Sequence, residues 1–70
     1  MLRCTYCGWV GSAVYFVWDH VMPVARGGAD APHNKVLACR RCNWQKGART
    51  ALEYIVWRRA NPIQANVGPY

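Results

Sequence analysis

Acidic residues are scarce in this sequence. Three aspartates and glutamates stand against nine lysines and arginines, which gives a formal net charge of +6 at pH 7. A basic surplus of this size on a short chain favours a polyanionic partner, most simply nucleic acid. Charge balance alone does not identify that partner.

Long apolar runs are also missing. The most apolar segment, Ala13 to Trp18, is six residues long and stops at Asp19. A membrane span needs roughly twenty apolar residues, and a signal peptide needs a longer apolar stretch near its start. We therefore expect a soluble protein without a membrane partner, located in the cytoplasm, where thiols stay reduced and paired cysteines usually bind metal.

The chain shows no internal repeat, low-complexity tract or linker. Its 70 residues leave room for one domain, predicted over residues 1–70. An apolar core rarely stabilises a domain of this size alone, so a covalent or metal cross-link is expected.

Four cysteines can supply that cross-link. Cys4 and Cys7 form one Cys-x-x-Cys pair, and Cys39 and Cys42 form a second after 31 intervening residues. The pairs predict one tetrahedral Cys₄ zinc site, which is structural because sulfur fills every position. Two disulfides or two redox dithiols are the alternatives; a reducing cytosol disfavours the first, and the lack of a βαβ pattern disfavours the second.

The segment between the cysteine pairs predicts a β-hairpin. Ala13 to Trp18 is rich in β-branched and aromatic residues, which indicates a strand ending near His20. Residues 26–32 are loop by composition, and Val36 to Ala38 form a second short apolar run. The aromatic residues of this region and of the first cysteine pair are expected to pack internally: Tyr6, Trp9, Tyr15, Phe16 and Trp18.

Two helices are predicted after the hairpin. The second cysteine pair opens a short helix that Gly47 ends. Thr50 and Glu53 match the capping-box pattern before a helix over about residues 51–60. The Asn61-Pro62 step ends that helix, and residues 61–70 are expected to be an irregular tail.

A further pattern lies between and just after the cysteine pairs. An Asp-His pair precedes a proline, two glycines and an asparagine, and an asparagine and a lysine follow the last cysteine. These residues are Asp19, His20, Pro23, Gly27, Gly28, Asn34, Asn43 and Lys46. Over residues 4–48 this arrangement resembles the HNH endonucleases. The resemblance implies an α+β fold, a small treble-clef-like ββα-metal domain with a structural Cys₄ zinc site and a C-terminal helix.

The resemblance also implies an activity: hydrolysis of DNA phosphodiester bonds, by nicking or double-strand cutting, to 5′-phosphate and 3′-hydroxyl ends. His20 would be the general base, a role that suits an imidazole. Asn34 would hydrogen-bond near His20 and fix its orientation. Asp19 and Asn43 would hold a catalytic Mg²⁺ or Mn²⁺, because carboxylate and amide oxygens are hard donors. A prokaryotic or phage-encoded protein would fit this family.

Two residues depart from the HNH pattern, and one feature of strand geometry restricts how the site can be arranged. Asn43 stands where the family commonly has its last histidine, which favours Mg²⁺ or Mn²⁺ over Zn²⁺ or Ni²⁺. Lys35 replaces the apolar residue that commonly follows the middle asparagine. Neighbouring strand residues point to opposite faces, so Asp19 and His20 can serve one phosphate only at a bend or across the strand end.

Basic residues around the proposed site are expected to contact DNA phosphates, double-stranded DNA being the expected partner. They are Arg26, Lys46, Arg40, Arg41 and Arg49. His33 has no matching position in the family pattern and is expected to be an exposed surface residue. Sequence specificity would have to come from a homodimer or an accessory protein.

Two other functions remain open at the level of sequence. A zinc module could bind nucleic acid without cleaving it, although the intact Asp19, His20 and Asn43 argue against this. A zinc module for protein interaction or redox chemistry would show no affinity for nucleic acid at low salt.

Overall fold

The computed structural model describes residues 1–61. It contains two antiparallel two-stranded sheets followed by two helices. The elements are β1 (Leu2–Arg3), β2 (Val10–Gly11), β3 (Phe16–His20), β4 (Lys35–Cys39), α1 (Arg40–Lys46) and α2 (Ala51–Ala60). Within residues 1–61, no helix has the length and apolarity that crossing a membrane requires. The irregular tail predicted beyond Asn61 lies outside the described residues.

The first cysteine pair lies in a tight turn between β1 and β2. The amide of Gly8 donates to the Cys4 carbonyl at 3.0 Å, and the Cys4 amide donates to the Trp9 carbonyl at 2.8 Å. Gly8 has a φ of 78°, a backbone angle that glycine adopts without strain. The knuckle predicted from the Cys-x-x-Cys-Gly pattern is confirmed.

The hairpin of β3 and β4 runs in register from the Phe16–Cys39 pair to the His20–Lys35 pair. The predicted strand begins too early, because Ala13–Tyr15 form a 3-10 turn in which the Tyr15 amide donates to the Ser12 carbonyl. Since β2 pairs back onto β1, the chain must turn before it can enter the second hairpin. This tertiary requirement overrides the β-propensity of the three residues.

Both helices follow their sequence signals. Gly47, with a φ of 55°, ends α1. At α2 the Glu53 amide donates to Thr50 Oγ1 at 3.1 Å, and the Thr50 amide donates to Glu53 Oε1 at 2.8 Å, which completes the predicted capping box. The predicted bounds of α2 are confirmed.

Among residues 1–61 the buried core is small, and three of its six residues are cysteines. Its members are Cys4, Phe16, Ala38, Cys39, Cys42 and Tyr54. Trp9 stacks on Phe16 and Tyr6 packs edge-on against Tyr54, as predicted for internal aromatic residues. Trp18 does not follow this prediction, because it is 65% exposed on β3.

Candidate functional site

The four cysteines converge at one point between the first knuckle, the end of β4 and the start of α1. Their Sγ atoms all lie within 4.8 Å of one another, and the Sγ atoms of Cys7 and Cys39 are 3.8 Å apart. A tetrahedral zinc ion with Zn–S bonds of about 2.3 Å separates its sulfurs by about 3.8 Å. The donor set and spacing therefore fit zinc, and four sulfurs would leave the ion no open position.

The four thiols alter one another's pKa. A hydrogen bond from Cys42 lowers the pKa of Cys4 to about 4, and the same contact raises the pKa of Cys42. Burial raises the pKa of Cys7 to about 11. Four thiolates at this separation repel one another unless a dication neutralises them, so metal binding and deprotonation should occur together.

Asp19 contacts two residues of α1 and is only 4% exposed. Its Oδ2 accepts a hydrogen bond from the Tyr6 hydroxyl at 2.5 Å, and its Oδ1 accepts one from Asn43 Nδ2 at 3.0 Å. Lys46 Nζ lies 3.3 Å from Oδ2. Burial, and secondly the bond to Asp19, raises the pKa of Tyr6, which keeps its hydroxyl a donor.

Lys46 is the most unusual member of this group because it is 1% exposed. Besides pairing with Asp19, its ammonium donates to the backbone carbonyl of His20 at 2.8 Å. One buried cation thus connects the end of α1 to the last two residues of β3. This restrains the backbone that carries both candidate catalytic side chains.

His20 faces away from that buried group. Its Nε2 lies 3.0 Å from Asp30 Oδ1, and the same carboxylate oxygen lies 3.0 Å from Lys35 Nζ. Hydrogen bonding to His20, followed by the contacts with Lys35, lowers the pKa of Asp30. The imidazole is therefore partly exposed and held by a carboxylate on the loop between β3 and β4.

Asn34 fixes the loop that follows His20. Its Oδ1 accepts from the Met22 amide at 3.0 Å, and its Nδ2 donates to the carbonyls of Met22 and Ala29 at 2.8 Å each. A side chain at Gly28 would collide with the Met22 carbonyl, so this packing requires glycine there. Asn34 thus acts on the backbone just after His20, and its hydrogen bonds do not reach the imidazole.

This arrangement coincides with a known family pattern. The family model for HNH endonucleases matches residues 4–49. The chain belongs to the HNH endonuclease family. Among curated proteins no match was found. The matched residues contain both cysteine pairs, the Asp19–His20 pair and Asn43, and family membership implies a nucleic-acid substrate.

Most of the basic residues predicted to contact DNA already have internal partners in this HNH domain. Arg26 pairs with Glu53 at 2.5 Å, Arg40 Nε donates to the Val14 carbonyl, and Arg49 lies over Trp57. Arg41 also makes contacts within the chain. These side chains remain partly exposed and can still approach a phosphate.

Lys46 differs from those arginines. Its ammonium is enclosed between Asp19 and the His20 carbonyl. A buried and doubly engaged ammonium cannot reach a DNA backbone, so the predicted phosphate contact of Lys46 does not fit this structure. Helical spacing from Asn43 places Lys46 near the site but does not distinguish an inward from an outward side chain.

Sequence reasoning missed two residues of the site, Tyr6 and Asp30. The scarcity of acidic residues was the one signal in the sequence that could have drawn attention to Asp30, since the chain has only three of them. Its loop has no periodicity from which a contact with His20 could be predicted. Tyr6 lies between the first two cysteines, and its reach to Asp19 depends on how the knuckle packs against β3.

Asp19 and Asn43 carry the kinds of oxygen ligand that a divalent cation binds. The pair contributes a carboxylate and an amide oxygen, both hard donors, from side chains that already touch. Turning the Asn43 amide about its terminal bond would direct Oδ1, instead of Nδ2, toward the same cation as Asp19. Lys46 partly neutralises the carboxylate, so the residues fit Mg²⁺ or Mn²⁺ held weakly.

Proposed function

We propose that this HNH domain is a metal-dependent endonuclease that hydrolyses DNA phosphodiester bonds to 5′-phosphate and 3′-hydroxyl ends. The observation that carries the proposal is the junction of β3 and α1. There Asn43 Nδ2 lies 3.0 Å from Asp19 Oδ1, and His20 follows Asp19 directly at the strand end. Zinc at the four cysteines would hold that junction together without taking part in the reaction.

His20 would accept the proton of the attacking water. Its Nε2 is next to the Asp30 carboxylate, so a proton on Nε2 is stabilised and Nδ1 is left with the lone pair. As water bonds to phosphorus, its proton passes to Nδ1, the bond from phosphorus to the 3′ oxygen breaks, and that oxygen takes a proton from solvent. Asp30 therefore selects the tautomer that can act as base.

The other residues of the site position the reacting groups. Mg²⁺ or Mn²⁺ held by Asp19 and Asn43 would offset the negative charge that builds on the phosphate. Lys46 holds the His20 backbone, and Asn34 holds the loop that follows it. Because Asp19 and His20 point to opposite sides of β3, the scissile phosphate would lie across the strand end.

One observation favours the rival function, a zinc module that binds nucleic acid without cutting it. The Lys46 ammonium already provides a positive charge at Asp19, so the carboxylate is compensated without metal. In that case Asp19 and Lys46 would be a buried structural pair, and the basic surface would bind DNA alone.

Nicking of supercoiled plasmid separates the two functions. The zinc-loaded protein with Mg²⁺ or Mn²⁺ should convert supercoiled plasmid to open-circular or linear forms, and end mapping should find 5′-phosphates. Plasmid that is bound but stays supercoiled under every metal condition would favour the rival. The proposed setting is the prokaryotic or phage-infected cytoplasm, with double-stranded DNA as substrate and specificity supplied by a second copy or another protein.

A further inference from the structure

Trp18 lies in the middle of a regular strand, yet 65% of it is exposed. Its neighbours on both sides in β3 are less exposed, and the aromatic residue two positions earlier, Phe16, is buried under Trp9. A small domain depends on burying most of its apolar surface, and the exposed indole of Trp18 contributes little to the buried core. The face of the indole is therefore available to a ligand.

The space beside Trp18 is a shallow pocket of about 310 Å³ lined by Trp18, Pro32 and Lys35. That volume lies at the low end of ligand pockets, roughly 300–1,000 Å³, so it suits one ring system better than an extended chain. Trp18 and Pro32 supply flat apolar walls. Lys35 supplies the cation, at the position where an apolar residue would be usual for the family.

The pocket adjoins the candidate base. Trp18 and His20 lie two residues apart on one face of β3, about 7 Å along the strand. Lys35 is the cross-strand partner of His20 and pairs with the Asp30 carboxylate that holds the imidazole. Asp30 is 71% exposed, and an ion pair this exposed to solvent is weak, so Lys35 can exchange it for a phosphate.

We propose that Trp18, Pro32 and Lys35 form a subsite for one unstacked nucleotide of a DNA strand, next to the bond that faces His20. The base stacks on the Trp18 indole, and Lys35 binds the adjoining phosphate. The inference rests on the proposed function for its substrate class. It adds a preference for duplex DNA that is locally unpaired beside the cleaved bond, because a base inside a duplex cannot present its face to the indole.

The test is binding of a fluorescein-labelled oligothymidylate to zinc-loaded protein at low salt, without Mg²⁺ or Mn²⁺, followed by anisotropy. Trp18→Ala should weaken binding by roughly five- to a hundred-fold, the usual loss for one stacked base, and Trp18→Phe should recover much of it. Trp44 is 82% exposed on α1, so Trp44→Ala is the matched control and should change the affinity less than about two-fold, well below a stacking effect. Lys35→Met should reduce the slope of log affinity against log salt by about one.

Circular dichroism and zinc content confirm that each variant is folded. Wild-type affinity in Trp18→Ala, or equal losses in Trp18→Ala and Trp44→Ala, would overturn the subsite. The subsite would also be overturned if Trp18→Ala lost the same affinity for blunt duplex as for oligothymidylate. A dimer that depends on Trp18, with unchanged binding of the oligonucleotide, would overturn it as well.

The two proposals fail in different ways. Plasmid cleavage combined with wild-type oligonucleotide binding by Trp18→Ala would leave the endonuclease standing and remove the subsite. Oligonucleotide binding that depends on Trp18, without any plasmid cleavage, would leave the subsite standing and remove the endonuclease. The two results are independent because the binding measurement contains no catalytic metal.

Discussion

Cys42 and Asn43 are neighbours on α1, yet they belong to sites of opposite character. The cysteine cluster offers four soft donors, three of them buried, that repel one another until a cation joins them. The Asp19–Asn43 pair offers hard oxygen ligands, and its carboxylate already accepts hydrogen bonds from Tyr6 and Asn43 and pairs with Lys46. The cysteine site would need its metal in order to form. The group around Asp19 and Asn43, the site proposed for Mg²⁺ or Mn²⁺, is already formed without one.

This difference separates folding from activity. Cysteines make up half of the buried core in the part of the chain that the structure describes, so loss of zinc would remove the centre of that core. Loss of the divalent cation at Asp19 would leave a hydrogen-bonded, ion-paired group intact.

The largest effect is expected from zinc removal. Strong chelation should unfold the domain because its two cysteine pairs are separated by 31 residues and little other core remains. Cys39→Ser should behave in the same way, since it leaves three thiolates. Circular dichroism with zinc analysis is the measurement, and a folded spectrum in zinc-free protein would show that the cluster is not the structural site.

His20→Ala should lower the cleavage rate by roughly two to four orders of magnitude, the usual contribution of a general base, with little loss of DNA binding. His33→Ala is the matched control, because His33 is exposed and has no position in the family pattern. If His20→Ala cuts nearly as fast as the wild type, the base lies elsewhere.

Lys46→Met should destabilise the fold by roughly 3–5 kcal/mol, because it leaves the Asp19 carboxylate buried beside an apolar side chain. Lys35→Met, whose ammonium is partly exposed, should change stability far less. Denaturant unfolding of zinc-loaded protein measures both. Equal stabilities would mean that Lys46 is not the buried partner of Asp19.

The smallest effect belongs to a residue outside both sites. Thr50→Ala should lower stability by about 0.5–2 kcal/mol through loss of the α2 cap, and Thr50→Ser should restore it. Zinc content and cleavage per folded molecule should not change. A change in either would show that α2 is coupled to the metal sites more tightly than its contacts suggest.

The parts of this structure that could be predicted from sequence are those with local or spacing signals. The capping box defined α2, Gly47 ended α1, and the paired cysteines indicated their common site. The resemblance to the HNH family, rather than any local signal, implied that Asp19 and Asn43 lie close together, and Asn43 Nδ2 donates to Asp19 Oδ1 at 3.0 Å.

Side-chain direction could not be predicted in the same way. The burial of Lys46, the pairing of His20 with Asp30 and the exposure of Trp18 depend on how the knuckle, hairpin and α1 pack together. Neither helical spacing nor residue type carries that information. The early part of the predicted strand was wrong for a related reason, because pairing of β1 with β2 imposes a turn.

The most direct test of the contrast between the two sites is mild chelation with zinc and cleavage measured in the same sample. A weak chelator should stop plasmid cleavage while about one zinc per protein remains bound and the circular dichroism spectrum is unchanged. Added Mg²⁺ should then restore the rate, and Asn43→Ala should need more Mg²⁺ to reach half of its maximum. Undiminished cleavage by zinc-loaded protein in metal-free buffer would contradict a second metal site at Asp19 and Asn43.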